Sequence, residues 1–136
     1  LDLVLDGIPS PNGIVMDVAE ATLFVAVTRG NCIWRVPLVE GTASKVGLFI
    51  QLSGGIGPDG LAVGPDGGLT VAHAGMGTAW HFDEIGRPLH QIRSSAGLLT
   101  TNLAYGGDDP KMLFITESTS GSILRAVLPT PGAEES

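Results

Sequence analysis

An all-β fold of the β-propeller kind, three four-stranded blades long, is what this sequence predicts. Three observations carry that expectation. A unit of roughly 45 residues recurs three times, which is the period of a propeller blade. Each unit breaks into short β-branched and apolar runs bounded by Gly, Pro, Asn and Asp, the pattern of strands and hairpins. No stretch carries a convincing helical period.

The repeat is read from three aligned segments, Pro11–Leu38, Pro58–Glu84 and Thr101–Leu128. Their second residues, Asn12, Asp59 and Asn102, lie 47 and 43 residues apart. Val25, Val71 and Ile115 follow these anchors at 13, 12 and 13 residues, and Ile33, Ala79 and Ile123 at 21, 20 and 21. Trp34 and Trp80 share one place, with Leu124 as their third counterpart. A β-sandwich also has many short strands, but it does not require a repeat of this length.

The elements follow in order. LDLVLD (Leu1–Asp6) reads as a strand resembling the last strand of a preceding blade. The first blade, 11–52, holds Ile14–Met16, then TLFVAVT, CIWRVPL and the fourth strand KVGLFIQL (Lys45–Leu52). The second, 58–94, holds Leu61–Val63, GLTVAHA, TAWHFDE and PLHQIRS (Pro88–Ser94). The third, 101–128, holds Leu103–Tyr105, MLFITES and SILRAVL but no fourth strand. The tail, 129–136, has two prolines and no apolar run. Propeller rings typically close with 4–8 blades, so three cannot close alone. The expected remedy is a homodimer that completes a six-bladed ring, each first strand entering the partner's last blade. That arrangement also covers sheet edges and flat apolar faces.

Composition narrows the function. The 136 residues are 43% hydrophobic and 15% charged, ample for a packed core, so disorder is excluded. No apolar run reaches the roughly 18 residues of a helical membrane span. A formal net charge of -7 repels phosphate, so no nucleic-acid partner is expected. The lone cysteine, Cys32, excludes an intrachain disulfide and a cysteine-rich zinc site, and reads as a buried small hydrophobe. The compartment stays open, the cytoplasm slightly favoured.

The candidate site comes from strand direction. Each anchor opens an innermost strand, and the second strand returns to the same end. Asn12, Asp59 and Asn102 should therefore line one mouth of the central channel, beside Thr28, Arg29, His73, Glu117 and Ser118. Such a mouth is the default site for a small molecule. Amide carbonyls and a carboxylate are hard oxygen donors that suit Ca²⁺ better than zinc or copper. Asn-Gly and Pro-Asp-Gly are also ordinary turn sequences. Pro65-Asp66-Gly67 is the internal control, since it falls between two strands where turn chemistry explains it. Asp59 instead precedes an innermost strand. The glycine after Asn12 and Asp59 makes room for close approach, and Asn102 lacks it. His73 is a candidate for substrate contact or proton transfer. His81 and His90 belong to outer strands, as surface or inter-blade residues. No nucleophile elbow or phosphate loop is present.

As an ordered set, SPNGIVMD, IGPDGLAVGPDGGLTVAHAGMG and TTNLAYGG…MLFITES…GSILRA resemble the senescence-marker-protein/regucalcin/gluconolactonase family. The resemblance covers essentially the whole chain and matches the C-terminal half of a family member. It implies a six-bladed propeller and metal-dependent hydrolysis of a lactone or similar small ester. By the same resemblance Asn12 is a metal ligand, and Asp59 is metal ligand and candidate general base. The metal implied is Ca²⁺ or another divalent cation. A further glutamate and asparagine of the family motif would lie before Leu1. Glu117 is the carboxylate near the mouth that could stand in for the former. The alternative is a non-catalytic blade assembly or small-ligand binding module.

Overall fold

The computed structural model describes residues 1–129, and among them every regular element is a strand. None is a helix long and apolar enough to cross a membrane. The first sheet holds β1 (Pro11–Met16), β2 (Thr22–Val27), β3 (Cys32–Val39), β4 (Thr42–Ala43) and β5 (Gly47–Gln51). Strands β1 to β3 pair in sequence, and both β4 and β5 pair with β3. The second sheet is the meander β6 (Gly57–Val63), β7 (Leu69–Ala74), β8 (Thr78–Phe82) and β9 (Pro88–Arg93). The third is β10 (Thr100–Tyr105), β11 (Met112–Glu117) and β12 (Ser122–Val127). All pairings are antiparallel, as short hairpin connections demand.

Burial shows how the sheets stack. Every residue of β7 is buried, whereas β1 and β12 alternate between exposed and half-buried. A strand covered on both faces loses the apolar–polar alternation that a half-covered strand keeps. The second sheet is thus the middle layer. One core, between the first two sheets, packs Ala26, Ile33, Ile50, Leu61, Val71 and Phe82. The other, between the second and third, packs Ala72, Ala79, Leu103, Leu113 and Ile115. Val71 and Ala72 serve opposite cores because neighbouring strand residues point to opposite faces. Cys32 is buried as expected, and burial pushes its thiol pKa up.

Three details differ from the sequence reading. Leu1–Asp6 forms no strand, and Leu1, Leu3 and Val4 are exposed. A strand needs a neighbour with free backbone groups, and among the described residues none pairs with this segment. The first sheet gains β4, a short hairpin on the end of β3 that has no apolar run to announce it. The innermost strands begin earlier than their apolar residues, at Pro11, Gly57 and Thr100, so the anchors lie inside them. The third sheet ends at its third strand among the described residues. Most of the tail lies outside them.

Candidate functional site

The inner strands share one irregularity. In each, the register with the next strand slips by one residue: between Pro11 and Ile14, between Pro58 and Leu61, and between Thr100 and Asn102. Asn12 and Gly13 both fall opposite Ala26, Asp59 and Gly60 opposite Ala72, and Thr101 and Asn102 opposite Thr116. Each is a β-bulge of two residues against one, a device that re-aims side chains and is enriched beside active sites. All three lie at the same end of the stack.

These registers change one equivalence drawn from the repeat. Asn12 and Asp59 hold the first bulge position, and in the third sheet that position belongs to Thr101. Asn102 occupies the place of Gly13 and Gly60. The hairpin turns differ in length between units, so residue offsets in the sequence could not fix the third register. Asn102 still lies at the site. Its Oδ1 accepts a hydrogen bond from the Leu103 amide at 2.9 Å.

The glycines explain how the inner strands come together. A Cβ on Gly13 would lie 2.2 Å from the Asp59 carbonyl oxygen, and one on Gly60 would lie 2.2 Å from Asn102 Oδ1. Each glycine therefore lets the next sheet's bulge seat against its own backbone. Hydroxyls reinforce both steps. Thr28 Oγ1 donates to the Pro58 carbonyl at 2.7 Å, and Thr100 Oγ1 donates to the His73 carbonyl at 2.8 Å. Thr28 thus holds the entry of β6 beside Asp59. Arg29 next to it is exposed.

Asp59 is half-buried, and burial raises its carboxyl pKa above the ordinary range. Among the described residues it has no ion-pair partner. Glu117 has the opposite environment. It is 1% exposed, and its two oxygens accept from the amides of Gly97, Leu99, Thr119 and Ser120 and from the Ser120 hydroxyl. The Ser120 hydroxyl, followed by these amides, lowers its pKa to about 2. Glu117 ties two loops together and has little lone-pair capacity left for a ligand. His73 likewise serves the frame. It is 0% exposed, its Nδ1 accepts from Trp80 Nε1 at 3.0 Å, and its Nε2 faces the Gly54 carbonyl at 2.9 Å. That fixes the neutral tautomer with the proton on Nε2. Burial lowers its pKa, and neither nitrogen points to open solvent.

The other end of the stack holds a depression of about 480 Å³ lined by Asp17, Phe24, Phe49, Asp66, Asp83 and Glu84. Three of its carboxylates are committed to turns. Asp17 accepts from Ala21 and Thr22, Asp66 from Gly68, and Asp83 from Ile85 and Arg87. Asp66 confirms its reading as a turn residue and does more, since Oδ2 also meets His81 Nε2 at 2.9 Å. His81 is buried and its ring stacks on His90, with the two Nδ1 atoms 2.9 Å apart. Asp66 and His81 lie 15 residues apart, a separation with no local signal.

The donor set at the anchor end fits a hard cation in kind: a partly desolvated, unpaired carboxylate beside amide and hydroxyl oxygens. It is small in number. Ca²⁺ takes roughly 6–8 oxygens, and among the described residues no group of three His, Cys, Asp or Glu could hold a metal.

Three antiparallel sheets stacked face to face, with their first strands side by side, define a portion of a six-bladed β-propeller. Residues 1–119 match the SMP-30/Gluconolactonase/LRE-like region, and the chain belongs to that family. It is similar to lactonase drp35 of Staphylococcus epidermidis, at 32% identity over 117 residues, which is 83% of this chain and 33% of that protein. Among solved structures it resembles a gluconolactonase from Xanthomonas campestris, with TM-score 0.77 and 26% identity over 92% of this chain and 40% of the other. It also resembles regucalcin, a calcium-binding protein of Agrobacterium tumefaciens, with TM-score 0.69 and 30% identity over 78% of this chain and 37% of the other. The chain spans about a third of the length of the curated relatives it matches.

Proposed function

We propose that this chain carries part of a metal-dependent hydrolase site for lactones or similar small esters. One observation carries the reading: the bulges of adjacent inner strands present Asn12 and Asp59 at one end, and Asp59 is half-buried without an ion-pair partner. Asn12 and Asp59 are the residues to hold Ca²⁺ or another divalent cation. Such an ion, when bound, supplies Lewis-acid polarisation of a carbonyl. Asp59 takes the proton of the attacking water. Thr28 and Gly13 keep Asp59 in place.

Lactone hydrolysis by the 136-residue chain, measured with Ca²⁺, with a chelator and in Asp59→Asn, tests this. Activity is expected to fall at least a hundredfold in both the chelated protein and the variant, the usual scale of losing a general base. Activity indifferent to both overturns the mechanism. The small donor count favours a second reading, a small-ligand binding module without catalysis. Ligand binding in the absence of turnover distinguishes it.

We also propose that two copies pair to complete the ring. Among the described residues the third sheet has three strands, and Leu1–Asp6 lies outside every sheet. The end sheets also leave large apolar side chains uncovered, with Ile14 61% and Ile123 73% exposed. A partner copy would bring a second Asn12 and Asp59 to the same ring.

A further inference from the structure

Asp66, His81 and His90 form a chain of contacts across the second sheet, at the end away from Asp59. Asp66 comes from the β6–β7 turn, His81 from β8, and His90 from β9, the outermost strand of its sheet among the described residues. His81 and His90 are direct cross-strand partners. Their rings lie within 2° of parallel, with the Nδ1 atoms 2.9 Å apart. Asp66 Oδ2 meets the other ring nitrogen of His81, also at 2.9 Å, and His81 is 3% exposed. The contact sits at a weak point of the sheet, since the β8–β9 register slips between His81 and Phe82. Leu89 is the extra residue there, and a bulge disrupts the ladder around it.

The hydrogen count of this contact is the same in every tautomer. Two Nδ1 atoms at that distance share one hydrogen, donated by one ring to the lone pair of the other. A neutral pair satisfies this. A pair with one added proton satisfies it too, because the charged ring donates and the neutral ring accepts. With both rings charged, each Nδ1 carries a hydrogen and neither keeps a lone pair to accept. The two N–H groups then oppose each other, and two like charges meet in one contact.

We propose that His81 and His90 are a pH-sensitive latch on β9: the contact holds while the pair carries at most one added proton, and charging both rings opens it and frees the outer strand. Other groups at this end surround the latch. Asp83, Glu84 and Arg87 of the β8–β9 turn line a depression together with Asp66. The third sheet brings Tyr105 on β10 and Asp108, Asp109 and Lys111 on the β10–β11 turn. The Tyr105 hydroxyl meets Thr70 Oγ1 at 2.6 Å, and its pKa is raised, first by burial, so it stays neutral throughout. The latch is independent of the hydrolase reading, which concerns the opposite end.

The test follows side-chain 15N resonances and amide protection of the 136-residue chain by NMR from about pH 8 to about pH 5, the range in which histidine changes charge. One ring is expected to become charged with β9 still protected, and the second only as that protection falls. The fall should be about tenfold after correction for intrinsic exchange, the scale of one hydrogen bond. Amides of β7 should keep their protection, which separates local opening from global loss. His90→Asn places an amide that does not titrate within reach of His81 Nδ1, and its β9 protection should be constant across the range. The proposal is overturned if both rings charge independently with β9 protection unchanged, if β7 and β9 lose protection together, or if His90→Asn keeps the pH-dependent loss.

Discussion

Two carboxylates at one end of the molecule have opposite environments. Asp59 is desolvated, so its protonated form is favoured and its pKa is raised. If Asp59 is the base, protonating it on acidification removes activity, and that limb of the pH profile disappears in Asp59→Asn. Glu117 is held ionised by five hydrogen bonds, with a pKa of about 2 against 4.5 for the unperturbed group. The depressed value makes Glu117 a source of stability that is fully present above pH 4.5 and is lost as pH falls toward 2. Glu117→Gln should therefore lower the urea midpoint at about pH 6 and converge with the parent protein near pH 2. A constant difference across that range would contradict this account. His73, buried neutral, works in the same direction, since acidification below its unfolded pKa charges a group the fold keeps neutral.

At the scale of elements, the bulge decides what the site can be. Without the extra residue, Asp59 would continue the regular alternation of β6. With it, Asp59 and Gly60 share one partner position, and Gly60 is free to meet the next strand. Gly13→Ala should destabilise the chain by about 1–3 kcal/mol, the range of an overpacked site, read as a lower urea midpoint with unchanged slope. Its added Cβ would meet the rigid Asp59 carbonyl, so the same variant should also weaken whatever binds at Asp59. Strand identity was legible in the sequence, because β-branched runs and turn residues mark strands through local chemistry. The third bulge was not. Asn102 looked like an anchor because it is an asparagine at a matching offset. The backbone register, a property of two strands together, makes Thr101 the equivalent residue.

The described residues form a stack of three sheets, with a middle layer covered on both faces along β6, β7 and β8 and two end layers. Only the middle one has the burial of a propeller interior, and the exposed Ile14, Leu48, Ile123 and Val127 belong to the end sheets. If a second copy completes the ring, light scattering should give twice the 14.0 kDa of the chain at low micromolar concentration. Ile123→Lys should shift it toward the monomer, since a charge would then be buried at the join. A stable monomer of the unaltered chain rejects the dimer.

The sequence by itself determined the blade strands, the repeat and the family, because these follow from local residue chemistry and from spacing. Tertiary structure alone decided which polar residues are available. It enclosed His73 between Trp80 and Gly54, wrapped Glu117 in amides, joined Asp66 to His81, and put Thr101 where Asn102 was expected. The physical reason is that a side chain's freedom depends on partners brought in from other strands and loops, and no window of sequence contains them.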